Sequence, residues 1–230
     1  MPDRQTVIWM RPQHAKSGRP ADRSRAQVTA AAIKVADQEG LDAVSMRRVA
    51  AELGTGAASL YRYIATRDDL LDLMADATGA EYELAGPSGN WLADLVGVAG
   101  QARAIMLRHP WLPALVVTRA TLGPRGVDLV EHVLNVLADH PADPAAKLEA
   151  FGILMAVTAT IVQNEVAADP ALRQRQAVYL QHVAQAGRHP QLAALLGTAV
   201  TPADPADQFT ALLRRVLSGL LATTVHEAAP

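Results

Sequence analysis

The sequence contains no cysteine, and aromatic residues make up only 4% of its 230 residues. Without cysteine, neither a disulfide framework nor a cysteine-ligated zinc site can form. Long apolar runs are also missing. The longest stretch, residues 153–162, is about half the length of a membrane span, and residues 7–10 are too few for a signal peptide. The lack of a membrane span and of a signal peptide predicts a soluble, cytoplasmic protein with no membrane partner.

Alanine and leucine, by contrast, are abundant. Both residues lose little conformational freedom on entering a helix, so their abundance favours helical structure. Half of the residues are apolar and 19% are charged, a balance that supports a packed core rather than a disordered chain. Because no segment alternates convincingly between apolar and polar residues, we expect an all-α fold.

Charge is distributed unevenly, although the net charge is only −2. Residues 1–67 hold 11 lysines and arginines against 6 acidic residues, a net of +5, and residues 68–230 hold 10 against 17, a net of −7. A basic head on an acidic body is expected when only the head meets phosphate groups. Residues 1–22 contain Arg11, Lys16 and Arg19 among prolines and glycine, which predicts a flexible basic arm. Such an arm either contributes to binding or is a terminus without a role.

Helical periodicity and capping residues divide the rest of the chain. Gly40 ends the first helix, while Ser45 and Thr66 are N-caps of the second and fourth. The first four helices are predicted at about residues 23–39, 46–53, 57–64 and 68–84. Prolines mark the later joints, and several of them fit first-turn positions. The later helices are predicted at about residues 90–108, 111–120, 125–139, 144–168, 171–187 and 206–222, with a loop at 197–206.

Residues 49–60 have the spacing of a helix-turn-helix, in which two short helices pack across a tight turn. Ala50 is small where the second helix would cross, Gly54 tolerates the positive φ of the turn, and Leu60 is apolar where the second helix faces the first. The small core is completed by Val49, Leu53 and Ile64. This spacing inside a basic region favours DNA binding, although an ordinary helical hairpin could use the same residues.

Four stretches within residues 23–75 are distinctive: residues 40–50, Leu53-Gly54, residues 59–64 (Ser-Leu-Tyr-Arg-Tyr-Ile) and residues 67–72 (Arg-Asp-Asp-Leu-Leu-Asp). They resemble the DNA-binding domain of the TetR (tetracycline-repressor) family. A weaker similarity, to the tetracycline-repressor type of C-terminal domain, extends through Trp91, residues 107–111 and Gly123-Pro124. The resemblance implies an N-terminal three-helix helix-turn-helix domain, residues 23–67, and a C-terminal helical domain for effector binding and dimerisation, residues 68–230.

By this resemblance, DNA contacts fall on the second and third helices. The third helix would enter the major groove by its N-terminal part. Arg62 is the best candidate base reader, because a guanidinium can bind guanine through two hydrogen bonds, and a phosphate contact is the alternative. Arg47 would reach a base or a phosphate, whereas Arg48 is expected to be solvated. The other groove-facing positions are Ala57, Ala58, Ser59 and Tyr61, and the backbone-contacting positions are Ser45, Tyr63 and Arg67.

The C-terminal domain is expected to sense a small molecule, with the fourth helix as the lever between the domains. The family's cavity is mostly apolar with a few polar groups. The candidate cavity residues are Trp111, Arg119, His132, Phe151, Met155, Thr158 and Asn164, each of which could instead serve the core or the surface. Glu165 with a histidine could imitate the metal-assisted site of the family founder, but no histidine here has the matching position. We therefore expect no metal and no other cofactor.

The resemblance also implies a homodimer that binds palindromic operator DNA and is released by a small apolar effector. Helix 144–168 is apolar around most of its circumference and must be buried on several sides. A four-helix bundle across a two-fold axis would bury it together with helix 206–222. The latter helix carries a wide apolar stripe, formed by Phe209, Leu212, Leu213, Val216, Leu217 and Leu220.

Two other functions compete with this interpretation. The first is an all-helical enzyme, but the seven histidines form no His-x-x-x-His pair, and the sequence shows neither a phosphate loop nor a nucleophile elbow. The second is a helical ligand-binding or assembly protein without specific DNA binding. Arg47, Arg62 and Arg67 argue against it. The sequence therefore favours a regulator over an enzyme.

Overall fold

The structure is a computed structural model that describes residues 6–11, 24–119, 122–198 and 204–222. Within these ranges the regular structure is helical, which confirms the predicted all-α class. The helices are α1 (Arg25–Glu39), α2 (Met46–Glu52), α3 (Ala57–Leu60), α4 (Arg67–Thr78), α5 (Trp91–Arg108), α6 (Leu112–Thr118), α7 (Pro124–Val136), α8 (Pro144–Val166), α9 (Pro170–Gln185), α10 (Pro190–Gly197) and α11 (Pro205–Leu220).

Side-chain caps and prolines set most of the helix boundaries. The Ser45 hydroxyl accepts the backbone N–H of Arg48 at the start of α2. Thr66 and Asp69 form a reciprocal capping box at the start of α4, which satisfies two backbone donors that the helix itself cannot. Proline occupies the first or second position of α6 to α11. A proline costs little there, because its missing N–H would have no partner inside the helix.

Three elements differ from the expectation. α3 is regular only over Ala57–Leu60, and turns continue through Tyr63. α4 ends at Thr78 and is followed by a 3-10 turn at Gly79–Glu81, so it is shorter than the predicted 68–84. The sequence prediction missed α10. α10 has only eight residues, and none of them is buried.

One hydrophobic core joins the helix-turn-helix to the body of the protein. Val28, Val49 and Leu60 of the first three helices share this core with Leu70 and Met74 of α4. The same core continues to Ala102, Ile105, Met106, Trp111, Leu112, Leu115, Ala159 and Val162. α4 therefore packs with both predicted domains. The core is continuous across the predicted domain boundary between residues 67 and 68.

A second core lies between α5, α7, α8 and α11. Its buried side chains include Leu95, Val133, Leu154 and Leu213. α8 is long and apolar enough to cross a bilayer by length and composition, but it packs against α5, α6, α7 and α11. α9 and α10 pack against each other beyond this core, and neither buries a side chain.

Residues 6–11 do not form the flexible arm that the sequence predicted. They include a 3-10 turn at Ile8–Met10, and Ile8 is only 2% exposed. The Arg11 guanidinium donates to Asp69 Oδ2 at 2.8 Å, and Arg25 Nη1 donates to the Ile8 carbonyl at 3.2 Å. The segment is therefore anchored to α1 and α4. The remainder of the predicted arm lies outside the described residues.

Candidate DNA interface and effector cavity

The turn between α2 and α3 has the predicted helix-turn-helix geometry. Gly54 adopts a φ of +62°, a conformation that side-chain-bearing residues rarely adopt. The Thr55 N–H donates to the Ala50 carbonyl at 2.9 Å and closes the turn. Ala50 is 2% exposed and Leu60 is fully buried, so the small residue and the apolar residue pack inside the motif as expected.

α3 and the turn after it present a mixed polar and apolar surface. Ala58, Tyr61 and Arg62 are exposed, whereas Ala57 and Ser59 are half-buried. The Ser59 hydroxyl donates to the Gly56 carbonyl at 2.7 Å, which holds the start of the helix. The Arg62 guanidinium carbon lies 5.9 Å from the centre of the Tyr63 ring. Tyr61 and Arg62 are therefore the large groups available to a partner on this surface.

α2 carries two adjacent arginines in different environments. Arg47 is exposed. Arg48 Nε donates to Glu39 at 2.9 Å and its Nη1 to Glu52 at 3.1 Å, so it is not the freely solvated side chain that the sequence predicted. The hydrogen bond from Arg48 lowers the pKa of Glu39. The charge of Arg48 is balanced within the protein, and the charge of Arg47 is the more accessible of the two.

Two of the residues predicted to contact the DNA backbone have partners inside the protein instead. Tyr63 is only 9% exposed, and its carbonyl accepts Arg25 Nε at 3.2 Å. Arg67 Nε donates to the Val44 carbonyl at 2.9 Å, and its Nη2 donates to the Leu41 carbonyl at 3.1 Å. Arg67 therefore ties the first turn of α4 to the segment that precedes α2. Ser45, the third such residue, is exposed and caps α2.

A cavity of about 410 Å³ lies between α4, α6, α7 and α8. Most of its wall is apolar and includes Leu112, Leu115, Val116, Leu129, Phe151 and Met155. Its charged lining residues are Asp72, Asp76, Arg119 and Arg125. A small, mainly apolar molecule suits a cavity of this volume and lining.

Of the seven predicted cavity residues, Arg119, Phe151 and Met155 line the cavity. The other four predictions are wrong for this cavity. Trp111 is buried in the first core and its indole N–H donates to Asp37 at 2.6 Å, and the Thr158 hydroxyl donates to the Leu154 carbonyl on the buried side of α8. His132 is half-buried on α7, and Asn164 is exposed near the end of α8, beyond the cavity. Amphipathic spacing identified the helices but not which face of each turns to the cavity.

The charged end of the cavity connects α6 and α7 to α4. Arg119 Nε donates to Asp72 Oδ1 at 2.8 Å, and its Nη1 donates to Asp68 Oδ1 at 3.0 Å. Burial would lower the pKa of Arg119, but the two carboxylates outweigh this effect and raise it. Asp76 Oδ1 accepts the backbone N–H groups of Arg125 and Gly126 at the start of α7. Asp68, Asp72 and Asp76 thus hold α6 and α7 against one face of α4.

The sequence prediction missed the acidic side of this site, although a signal existed. Asp68, Asp72 and Asp76 follow each other at intervals of four residues, a spacing that places side chains on one face of a helix. Glu165, considered as a metal ligand, is paired instead with Arg103, whose Nη2 donates to Glu165 Oε2 at 2.7 Å. Its carboxylate is therefore engaged in an ion pair that links α8 to α5.

A second junction between the two regions lies at the end of α5. The His109 ring nitrogens lie 2.7 Å from Asp37 Oδ1 and 2.8 Å from Glu81 Oε1. Asp37 belongs to α1, and it also accepts the Trp111 indole N–H. The helix-turn-helix and the cavity-bearing helices are thus joined by polar contacts as well as by a shared core.

A helix-turn-helix with an exposed basic surface, joined through one shared helix to an apolar cavity, defines a ligand-responsive transcriptional regulator. Comparison with known protein families gives the same class. Residues 28–74 match the family described as "Bacterial regulatory proteins, tetR family", and residues 85–224 match "Tetracyclin repressor-like, C-terminal domain". The chain belongs to the TetR family of transcriptional regulators.

Individual relatives agree with this assignment. The HTH-type transcriptional repressor DrrR1 of Streptomyces coeruleorubidus is 36% identical over 206 residues, which are 84% of this chain and 76% of that protein. The crystal structure of apo ActR from Streptomyces coelicolor is 30% identical, with a TM-score of 0.78, and the match covers 88% of this chain and 98% of that one. The structure of ActR in complex with actinorhodin gives a TM-score of 0.76 at the same identity and coverage.

Proposed function

We propose that this protein is a repressor that binds a palindromic operator as a homodimer and leaves it when a small, mainly apolar effector fills the cavity. The observation that carries this proposal is the position of α4. Leu70, Leu71 and Met74 lie in the core of the helix-turn-helix. Asp72 and Asp76, on the same helix, line the cavity. A ligand that shifts α4 must also shift the surface that α3 presents.

Two relatives support the direction of this regulation. DrrR1 is described as a repressor, and ActR has been solved in complex with the small molecules actinorhodin and (S)-DNPA. These likenesses support repression by this chain and the binding of a small molecule in its own cavity, and release of the operator is part of the proposal. As a reader of chromosomal DNA, the protein would act in the cytoplasm and without catalysis.

The DNA-binding surface is proposed to use α3 in the major groove and α2 beside it. Arg62 and Tyr61 would reach base edges or phosphates, and Arg47 would contact the backbone or a base. Ala57, Ala58 and Ser59 leave the start of α3 small enough for close approach to the groove. Ser45, Tyr63 and Arg67 would act mainly by holding these elements in place, since their polar groups or rings are engaged within the protein.

The homodimer is proposed to form through the outer faces of α8 and α11. On α11, Leu212, Val216 and Leu220 follow each other at intervals of four residues and are only half-buried. On α8, Leu148 is 51% exposed. Apolar side chains on two neighbouring helices suit a four-helix bundle across a two-fold axis. Two such subunits would read half-sites about one helical turn apart.

The test is to sequence the DNA fragments that the protein retains from a genomic library and to measure its binding to them. We expect an enriched palindrome and a preference for it over random DNA at moderate salt. A protein that prefers no sequence would be the helical ligand-binding protein that the sequence left as an alternative. An Arg62→Ala variant taken through the same selection of genomic fragments provides the matched control. Arg62 is exposed, so its replacement leaves the core intact.

A further inference from the structure

The charges at the polar end of the cavity are not equally engaged. Asp76 already accepts two backbone N–H groups of α7, at 2.9 and 3.2 Å. Asp72 already accepts Arg119. Asp72 is thus ion-paired with Arg119, and Asp76 is held by backbone donors at the N-terminus of α7, the positive end of that helix dipole.

Arg125 is in the opposite situation. It is exposed and lines the cavity, and its stem packs so closely on Gly79 that a Cβ at position 79 would collide with it. Within the described part of the chain, no carboxylate forms an ion pair with Arg125. Among the described residues, the Arg125 guanidinium at the cavity is thus not paired with a carboxylate, whereas that of Arg119 is held by Asp68 and Asp72.

We propose that Arg125 and Arg119 recognise an acidic group on the effector, and that this group competes with Asp68 and Asp72 for Arg119. The effector class is then an apolar body that fills the cavity and carries one carboxylate or sulfonate. The regulatory meaning of this recognition rests on the proposed function, but the recognition itself does not require DNA. A planar guanidinium can hold such an anion through two parallel hydrogen bonds.

The geometry favours exchange at Asp68 in particular. The Asp68 side chain is 73% exposed, whereas that of Asp72 is 15% exposed. An ion pair with an exposed carboxylate is screened by water and contributes little, so an anion inside the cavity loses little by displacing it. Asp68 lies in the first turn of α4, beside Arg67. Arg67 holds the carbonyls of Leu41 and Val44, just before α2. Release of Arg119 from Asp68 therefore removes a contact at the residue next to Arg67, which holds the segment before α2.

The first arm of the test compares a charged probe with an uncharged one. Anilinonaphthalene sulfonate and its uncharged parent, N-phenylnaphthylamine, both gain fluorescence in apolar cavities and differ by one sulfonate. Arg125→Met should weaken sulfonate binding on the order of tenfold, the size expected for a lost charge-assisted hydrogen bond, and should change binding of the uncharged probe by less than about twofold. The affinity of Arg125→Lys for the sulfonate should lie between those of the wild type and Arg125→Met. Lysine keeps the charge but cannot bind the anion through two parallel hydrogen bonds.

Arg108→Met is the control for the loss of a positive charge, because Arg108 is an exposed arginine, paired with Glu81, that does not line the cavity. It should leave both probes unaffected. Equal loss of both probes in Arg125→Met, or loss of neither, would overturn the proposal.

The second arm tests the competition. Asp68 does not line the cavity, so Asp68→Asn should strengthen sulfonate binding severalfold only if the carboxylate competes for Arg119, and should leave the uncharged probe unchanged. Asp128→Asn, a substitution at an exposed carboxylate of α7, controls for the change in overall charge. Asp68→Asn without effect, or with the same effect as Asp128→Asn, would overturn the competition. Since no DNA is present, a failure of DNA binding would count against the proposed function alone.

Discussion

The arginines of the DNA-binding domain differ in what they can offer a partner. Arg48 is bound by Glu39 and Glu52, and Arg67 by two backbone carbonyls. Arg62 is exposed in the turn after α3, and its contacts are with the Ser59 carbonyl, at 3.5 Å, and with the Tyr63 ring, whose centre is 5.9 Å away. Arg62, like the exposed Arg47, is therefore more open to a partner than Arg48 or Arg67.

Replacing Arg62 should therefore affect sequence recognition rather than folding. We expect Arg62→Ala to weaken binding to the preferred operator by about 1–3 kcal/mol and to relax the preference at one base pair. Arg173→Ala, which removes an exposed arginine from α9, should change neither quantity. Titrations against the operator and single-base variants measure both effects. An equal loss of affinity for all sequences would assign Arg62 to a phosphate instead. The slope of log affinity against log salt concentration would then also be smaller by about one.

At the scale of elements, α11 shows what a sequence pattern resolves and what it leaves open. Its apolar stripe was wide enough to serve both the subunit core and a partner. In the structure Leu213 is fully buried against the second core, whereas Val216 is half-buried at the edge of the helix. Leu213 is therefore used within the subunit, and the half-buried side chains of the stripe are the ones that remain for a partner.

The two positions should therefore respond differently to a charge. Leu213→Glu buries an unpaired carboxylate in the core and should prevent folding or lower stability by several kcal/mol. Val216→Glu should keep the helical content and give monomers, because its side chain lies on the surface proposed for the dimer. Circular dichroism and sedimentation velocity at micromolar concentration distinguish these outcomes. A Val216→Glu protein that stays dimeric would place the interface elsewhere.

The segment at residues 6–11 is a second element whose role the sequence did not reveal. A Cβ at Gly123 would collide with the Trp9 ring and with Asp76, so Trp9 lies against the start of α7. The ion pair of Arg11 with Asp69 reaches the cap of α4. The segment thus spans from the helix-turn-helix to the wall of the cavity.

Its contribution to stability can be measured at two neighbouring positions. Ile8→Ala should lower the free energy of unfolding by about 2–4 kcal/mol, because it leaves a cavity at a fully packed side chain. Val7→Ala should cost less than about 0.5 kcal/mol, since Val7 is 46% exposed. Denaturant unfolding of the two variants gives the comparison. Similar small losses in both would mean that the segment does not stay docked in solution.

Sequence reasoning predicted the helical class, the helix-turn-helix core and most helix ends, because these depend on local spacing, caps and prolines. Ala50, Gly54 and Leu60 are examples in which residue type and position agree with the structure. It could not predict which face of each long helix meets the cavity. Phe151 and Met155 line it while Thr158, on the same helix, faces the core. Likewise, Ile8 is buried by contacts with residues distant in sequence, which no local pattern reports.

At the scale of the whole molecule, α4 is the structural link between the DNA-binding surface and the cavity. It contributes to the core of the helix-turn-helix, accepts Arg119 from α6 and caps α7 through Asp76. Because a packed core transmits displacement rather than absorbing it, occupation of the cavity and occupation of the DNA surface are expected to be coupled. A coupling of about 1.4 kcal/mol corresponds to a tenfold change in affinity.

Coupling of this kind must be reciprocal. A compound found in a thermal-shift screen of apolar acids should raise the melting temperature, because it binds the folded state. At a concentration of a hundred times its Kd, it should add about 2.7 kcal/mol to the free energy of unfolding. If it weakens operator binding by some factor, operator DNA must weaken its binding by the same factor. Isothermal titration of the compound with and without operator measures this directly.

Phe151→Ala and Met155→Ala should each weaken the compound, since both side chains line the cavity, whereas Asn164→Ala, an exposed position on the same helix, should not. A compound that stabilises the protein and leaves operator affinity unchanged fills the cavity without moving α4. If every compound that depends on Phe151 behaved in this way, the cavity would not be the site through which this regulator is controlled.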